Sequence, residues 1–508
     1  MAREDPELGL VILCAVWNLP RTTLWHPLAS YRNGGAGSLA LTDETSLRAI
    51  RRKVDWRIFP ILSATYLVQN LDKFALNYAA VMGLPKDLHL KGNDFTNAAT
   101  AFSVAFIVAE IPNIYLLQRV PAAKWLAINV FLWGIATACT AAATDFRTLL
   151  VARIFLAIFE ATTIPSSQTI TAQWYTKSEA APRYAFWFSG NAGAQFFGGL
   201  ISFGLQHMTG ADLSGWRTMF LVFGLITLVV GVLIWLIVPD TPMDASFLTD
   251  AEKVSLLTHT SVNKIGVRNV KFKPEEIWEA SRDPQVWIYG FATICFASTS
   301  GIITTYSATL IKNMGFTSKQ AALLNMPAGI VSITSVLVAS FGIRYTPGGH
   351  RYFWISLCAL TAALGAGFVS FLPRHNKAGL LAGIWLINAI TATLPMVYHY
   401  LSVNIGGHTK RSFTANLVAV CFGIGNIIGP QSFRAKDAPE YTPAKIVAMA
   451  TEVATAVLMF LLAGYYVWEN RRRDRLQAGG EGGEVEESER EAWKGETDRR
   501  NSRWRYMY

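Results

Sequence analysis

Two ionisable side chains, Arg153 and Glu160, stand inside the apolar stretch from Arg147 to Trp174, RTLLVARIFLAIFEATTIPSSQTITAQW. Seven residues apart, they project from one helix face about two turns from each other. A charge near the centre of a lone membrane helix costs roughly 2.5 to 3.5 kcal/mol on insertion scales, so such groups are held where they face protein or water. Pro165, one turn on, frees a backbone carbonyl, as in broken helices that line cavities. A second stretch, YLVQNLDKFALNYAAVMGL from Tyr66 to Leu84, carries Asp72 and Lys73 near the middle of an apolar run. Adjacent helical residues point about 100° apart, so these two need not pair; one can face a cavity and the other a neighbouring helix. Asn70, Asn77 and Tyr78 add hydrogen-bonding groups. Desolvation favours the protonated form of a carboxyl and a nearby cation opposes it. That tension suits Glu160, Asp72 or both to carry a proton. The alternative is a buried Asp72–Arg153 bridge that only fixes packing.

Other intramembrane polar residues are weaker candidates. Asn191 and Gln195 lie four apart on one face and, with Asn77, are candidate substrate contacts. Glu110 sits beside Pro112 near a helix end, where an interhelix contact is the simpler role; Asn388 and His399 are single polar residues suited to packing. The glycines of CFGIGNIIGPQ, Cys421 to Gln431, lack the G-x-G-x-x-G spacing and any preceding strand, so they mean close helix contact. The five cysteines include no C-x-x-C pair; neither a metal site nor a cofactor is indicated.

Positioning these groups requires helices that cross a bilayer. Of 508 residues, 52% are hydrophobic and 16% charged, against about 25% charged in soluble domains. This composition specifies an all-α membrane protein embedded in lipid. The net charge of +10 sits largely beside apolar spans, as membrane topology demands, and does not call for nucleic acid. Hydropathy predicts twelve transmembrane helices near 56–82, 95–117, 123–143, 147–174, 183–206, 217–239, 286–311, 320–343, 352–372, 378–402, 412–433 and 444–468. The corresponding divisions are a tail at 1–54, a six-helix half at 55–239, a charged linker at 240–284, a second six-helix half at 285–468 and a disordered tail at 469–508. The apolar run Leu8–Trp17 is too short to span and follows acidic residues, unlike a signal peptide. Two parallel six-helix halves with inverted repeats match a common transporter layout. An even span count puts Arg51-Arg52-Lys53, the linker and Arg471-Arg472-Arg473 on one side, which the positive-inside rule makes cytosolic, with both termini.

Over roughly residues 50 to 470 the chain resembles the major facilitator superfamily, and within it the fungal allantoate permease family of anion:cation symporters. The resemblance rests on QNLDKFALNYAAVMGL in the first span, GFTSKQAALLNMPAG at Gly315–Gly329, and GGHTKRSFTANLVAVCFGIGNIIGPQSFRAKDAPEY at Gly406–Tyr441. It implies the major facilitator fold and proton-coupled uptake of a small organic anion, such as allantoate, a ureido acid or nicotinate, by a monomer in the plasma membrane. The R-x6-E of the fourth span resembles the pattern by which related symporters couple protons. This implies proton sites at Glu160 and Asp72 and anion attraction by Lys73 and Arg153. Departures are LLQRVPAAKW (Leu116–Trp125) in place of the usual loop signature, Ala157, Thr162 and Ser166 where glycine is usual, and YHYLS (Tyr398–Ser402) where a tryptophan is usual. The same fold would also serve an exporter of a secondary metabolite or a non-transporting nutrient sensor. An enzyme is not expected, because no nucleophile, base and orienting partner come together.

Overall fold

The computed structural model describes residues 44–117, 119–176, 179, 183, 186–187, 189–207, 213–261, 273–478, 497–501 and 504–508. The described residues contain helices and no strand. Ten helical segments are long and apolar enough to cross a membrane. The first span, Phe59–Met82, and the fifth, Gly190–Leu205, complete twelve; the first carries Asp72 and Lys73 within its apolar run. Spans three (Ala122–Thr140) and six (Gly215–Ile237) pack tightly, as do seven (Pro284–Asn313) and eleven (His408–Gln431), and nine (Arg351–Phe371) and twelve (Thr442–Ala478). Leu221, Leu225, Val229, Trp235 and Leu236 on span six are exposed and form part of an apolar surface suited to lipid.

Three spans are interrupted, each just before a proline. Span four is a helix from Phe146 to Glu160 that restarts at Thr163 and ends at Trp174. The break at Ala161–Thr162 follows from Pro165, which has no N–H to offer the Ala161 carbonyl and crowds it. Span eight divides into Ser318–Leu324 and Pro327–Tyr345, and the Leu324 carbonyl at the break accepts the Trp385 indole N–H at 2.7 Å. Span ten runs as Lys377–Ile387, a 3-10 stretch Asn388–Ala392, and Thr393–Asn404, with Pro395 just beyond the tight turn.

Both parts of the chain expected as tails contain packed structure. Residues 44–57 form a helix whose Leu47, Ile50 and Val54 are buried, a spacing that sets three apolar side chains on one face. The linker holds helices Asp250–Ser261 and Pro274–Ser281. The first docks on the six-helix half that precedes it: Glu179 Oε1 lies 2.5 Å from Arg51 Nε and 3.0 Å from His259 Nε2, and Lys53 reaches Glu252 at 2.6 Å. Burial works against the Glu179 carboxylate, but the Thr176 amide and His259 hold its pKa below the ordinary 4.5. Its contribution is therefore complete above pH 4.5 and lost as the pH falls through the lowered value. Span twelve continues as helix to Ala478, and residues 497–501 and 504–508 fold back onto the second half, with Asp498 and Tyr506 buried. Buried polar contacts order this segment despite its charged composition. The remaining tail residues, including Leu8–Trp17, lie outside the described residues.

The side of the molecule that carries the linker is the linker face. Hydrogen bonds between the two halves run from mid-span to the opposite face. Asn77 donates to Ser307 at 2.7 Å and accepts the Ala308 amide at 3.0 Å. Gln195 reaches Asn388 at 2.8 Å, Asn325 reaches the Tyr78 hydroxyl at 3.2 Å, and Gln431 reaches Thr100 at 2.8 Å. These hydrogen bonds hold the two halves together on the side away from the linker.

The seam between spans three and six tests this packing. A Cβ at Gly224 would lie 2.6 Å from the Ala138 amide nitrogen, whereas one at Gly464 meets nothing within 4 Å. Gly224→Val is expected to destabilise by about 1 to 3 kcal/mol, read as a lowered melting temperature in detergent, while Gly464→Ala leaves it unchanged.

Candidate functional site

The ionisable groups of spans one and four come together inside the first half. Glu160, the last residue before the span-four break, is 0% exposed. Its Oε1 lies 3.7 Å from Lys73 Nζ, and neither carboxyl oxygen has a hydrogen-bond partner. The Lys73 side chain is 29% exposed and its amine lies 5.6 Å from the centre of the Phe106 ring. Lys73 stands one turn to the linker side of Asn77, just beneath the closed side. The Gln69 amide, one turn before Lys73, is buried with both polar atoms unpartnered.

Asp72 points elsewhere, as the 100° offset between neighbours allows. Its Oδ2 accepts the Trp133 indole N–H and, at 2.9 Å, the Thr137 hydroxyl, both on span three. Oδ1 has no partner, and the side chain is 1% exposed. Arg153, 3% exposed, lays its guanidinium 4.5 Å from the Phe102 ring centre on span two, with Nε and Nη1 unpartnered. No ion pair joins Asp72 to Arg153; an aromatic face and a pair of span-three donors take their places. Buried polar atoms without partners are uncommon in native proteins and call for an explanation. Here Gln69, Asp72, Arg153 and Glu160 concentrate four such side chains in one six-helix half, where groups that accept and release protons or anions would belong.

Three residues expected to touch substrate are engaged by protein instead. Asn77 spends both amide groups on span seven, Gln195 donates to Asn388 on span ten, and Asn191 donates to Asn70 at 2.9 Å. Side-chain amides of this kind tie membrane helices together. Asn77 and Gln195 thus bridge the seam between the halves, where a Cβ at Gly329 on span eight would lie 2.7 Å from the Ala192 carbonyl oxygen on span five, whereas Asn191 ties spans five and one within the first half. Asn388, read from sequence as a packing residue, is part of that seam. Sequence reasoning missed Glu452 on span twelve, 0% exposed with both oxygens unpartnered; its signal was a lone acid in an apolar run. Among the described residues no cluster of metal-ligating side chains occurs.

Twelve spans with buried charges inside the first half make this a multi-pass membrane protein of the kind that transports solutes. The sequence pattern described as Major Facilitator Superfamily matches residues 62–430, and the chain belongs to that superfamily. It is 35% identical to the thiamine pathway transporter THI73 of Saccharomyces cerevisiae, covering 90% of this chain and 86% of that one. To the allantoate permease of the same yeast it is 30% identical, again over 90% and 86%. The crystal structure of a D-xylose-proton symporter superposes with a TM-score of 0.62 at 13% identity, covering 80% of this chain and 97% of that one. A bacterial homologue of the lysosomal transporter Spinster, inward-facing and occupied, gives 0.59 at 18% identity over 81% and 96%. Relatives and fold alike are those of transporters, and the protein is not an enzyme.

Removing the Asp72 acceptor would strand the Trp133 and Thr137 donors in the bundle. Asp72→Ala is expected to cost about 1 to 3 kcal/mol, and Asp72→Asn, which keeps an acceptor, under about 1 kcal/mol; melting temperatures in detergent separate the two.

Proposed function

We propose that this transporter carries a small organic anion together with a proton, with Glu160 as the coupling carboxyl. The observation behind the reading is the Lys73–Glu160 pair, 3.7 Å apart with Glu160 wholly buried. At an effective dielectric near 20, that separation is worth on the order of 4 kcal/mol. Desolvation costs several kcal/mol per ion, so the pair lies near balance. An anion that draws the Lys73 amine away from Glu160 tips the balance toward the protonated acid. Proton and anion then load together, which is what symport needs. Arg153 adds positive potential, and Asp72 is the second proton site. Asn77 and Gln195 belong to the seam that opens and closes around the cargo, and Asn191 ties spans five and one beside it.

Of the two yeast relatives, allantoate permease is named for an anion, whereas THI73 is named for the thiamine pathway and not for a cargo. Two cationic side chains at the site, Lys73 and Arg153, favour the anion. Allantoate, ureido acids and pyridine carboxylates such as nicotinate fit that charge. The basic clusters at Arg51-Arg52-Lys53 and Arg471-Arg472-Arg473 favour a cytosolic linker face. The closed side then faces outward, in a plasma membrane, and uptake runs down the proton gradient.

Purified protein in vesicles with an imposed pH gradient is expected to accumulate one of these carboxylates, more strongly at acid outside pH, and to stop when an uncoupler is added. Glu160→Gln should lose uphill accumulation by about tenfold or more while keeping substrate exchange. Full accumulation by Glu160→Gln would refute its role, and uptake indifferent to the gradient would leave a facilitator.

A further inference from the structure

The linker face of the second half holds a peptide site that transport chemistry does not use. Its anchor is Lys410, at the start of span eleven, a fully buried ammonium ringed by three carboxylates: Asp283 at 2.7 Å, Asp498 at 2.8 Å and Glu279 at 3.0 Å. Asp283 and Glu279 belong to the start of span seven and the preceding linker helix, whereas Asp498 is brought by the segment 497–508. The Asp498 carboxylate also accepts the Gly406 amide at 3.1 Å, the Gln285 side chain at 2.8 Å and the Tyr506 hydroxyl at 2.7 Å.

Around this anchor the segment is read through its backbone. Asn404 on span ten donates to the Met507 carbonyl and accepts the Met507 amide, at 3.0 and 2.7 Å. Asn470 on span twelve treats Tyr506 the same way, at 2.9 and 3.0 Å. Each asparagine thus pairs with one residue's N–H and C=O as an adjoining strand would. The Tyr506 ring stacks on Tyr466 at 4.6 Å between centres, and the Arg351 amide donates to the Tyr508 carbonyl at 2.9 Å. Charge is paired as well. Without the segment, Lys410 faces two carboxylates; the segment adds Asp498 together with Arg499, 3.7 Å from Asp283, and Arg500, 3.2 Å from Glu275 and 3.5 Å from Glu279. Three cations then meet four carboxylates.

We propose that residues 497–508 are an exchangeable intramolecular ligand, and that its docking makes the second half competent to close. The dock joins the linker-face ends of spans seven, ten, eleven and twelve, the ends that must move as one body against the first half when the open side shuts. The eighteen residues 479–496 tether the segment to span twelve. Covalent attachment makes docking an intramolecular event, which needs less intrinsic affinity than docking from solution. In a protein without the segment, a free copy of the peptide can take the place.

The test deletes residues 497–508 and returns them as a synthetic peptide. The shortened protein is expected to melt about 4 °C lower or more in detergent. Peptide at about 0.1 mM should restore the melting temperature, and a peptide bearing Asp498→Asn should not. In vesicles, on the transport reading above, uptake should fall roughly fivefold with KM little changed and recover when peptide reaches the linker face. The melting measurement needs no substrate, so it stands or falls apart from the anion assignment. Should the shortened protein fail to purify, full-length Asp498→Asn replaces it, with a lowered melting temperature and reduced uptake expected. A shortened or Asp498→Asn protein that melts and transports like the parent, or a peptide that leaves the melting temperature unmoved, would overturn the proposal.

Discussion

A buried carboxyl and a partly exposed ammonium held together at the level of the hydrocarbon are the constraint on which the rest of the structure depends. Glu160 has no exposed surface, and the cation nearest it, Lys73, is 3.7 Å away. Neither would persist in a single helix facing lipid, where nothing compensates the lost hydration. A bundle of six spans supplies the shelter, and the exposed apolar faces of spans such as the sixth suit the lipid around it. The break in span four follows from the same need. Pro165 ends the first segment just after Glu160, so the carboxyl hangs from a helix terminus rather than from a rigid mid-helix position.

Polar groups inside the first half and those between the halves are used differently. In the first half, polar atoms are left without partners around Gln69, Asp72, Arg153 and Glu160. Between the halves, Asn77 meets span seven, Gln195 meets Asn388 and Tyr78 meets Asn325, while Gln195 Oε1 and Asn325 Oδ1 stay unpartnered. Such bonds hold a surface closed yet release it at modest net cost, since each contributes only about 1 kcal/mol. Of the four groups in the first half, the carboxyls of Asp72 and Glu160 are the ones able to change protonation. Division of labour between a reversible seal and a charged interior is what alternating access asks of one chain.

Much of this was legible in the sequence. Composition and hydropathy implied twelve spans, because burial in lipid writes long apolar runs. Arg153, Glu160, Asp72 and Lys73 stood out because charge in such runs is costly. What hid was direction. Adjacent residues on span one face different neighbours, and no spacing rule tells that Asp72 turns to Trp133 and Thr137 while Lys73 turns to Glu160. Which partners the amides of Asn77, Asn191 and Gln195 take was also hidden, because a seam, a helix contact and a site use the same residue types. The packed segment 497–508 was hidden for a different reason. Its order comes from Lys410, Asn404 and Asn470, tens of residues away, and its own composition reads as a solvated tail. The helix at 44–57 reads as part of a tail, although Leu47, Ile50 and Val54 carry the spacing of a buried helix face.

Coupling, on this mechanism, is a proton that boards Glu160 when an anion engages Lys73. Calorimetry of carboxylate binding to the purified protein, in buffers of differing ionisation enthalpy, counts that proton directly. Net proton uptake is expected on binding by the parent protein near neutral pH, and none by Glu160→Gln. Equal proton uptake by the two proteins, or none by the parent, would contradict the mechanism.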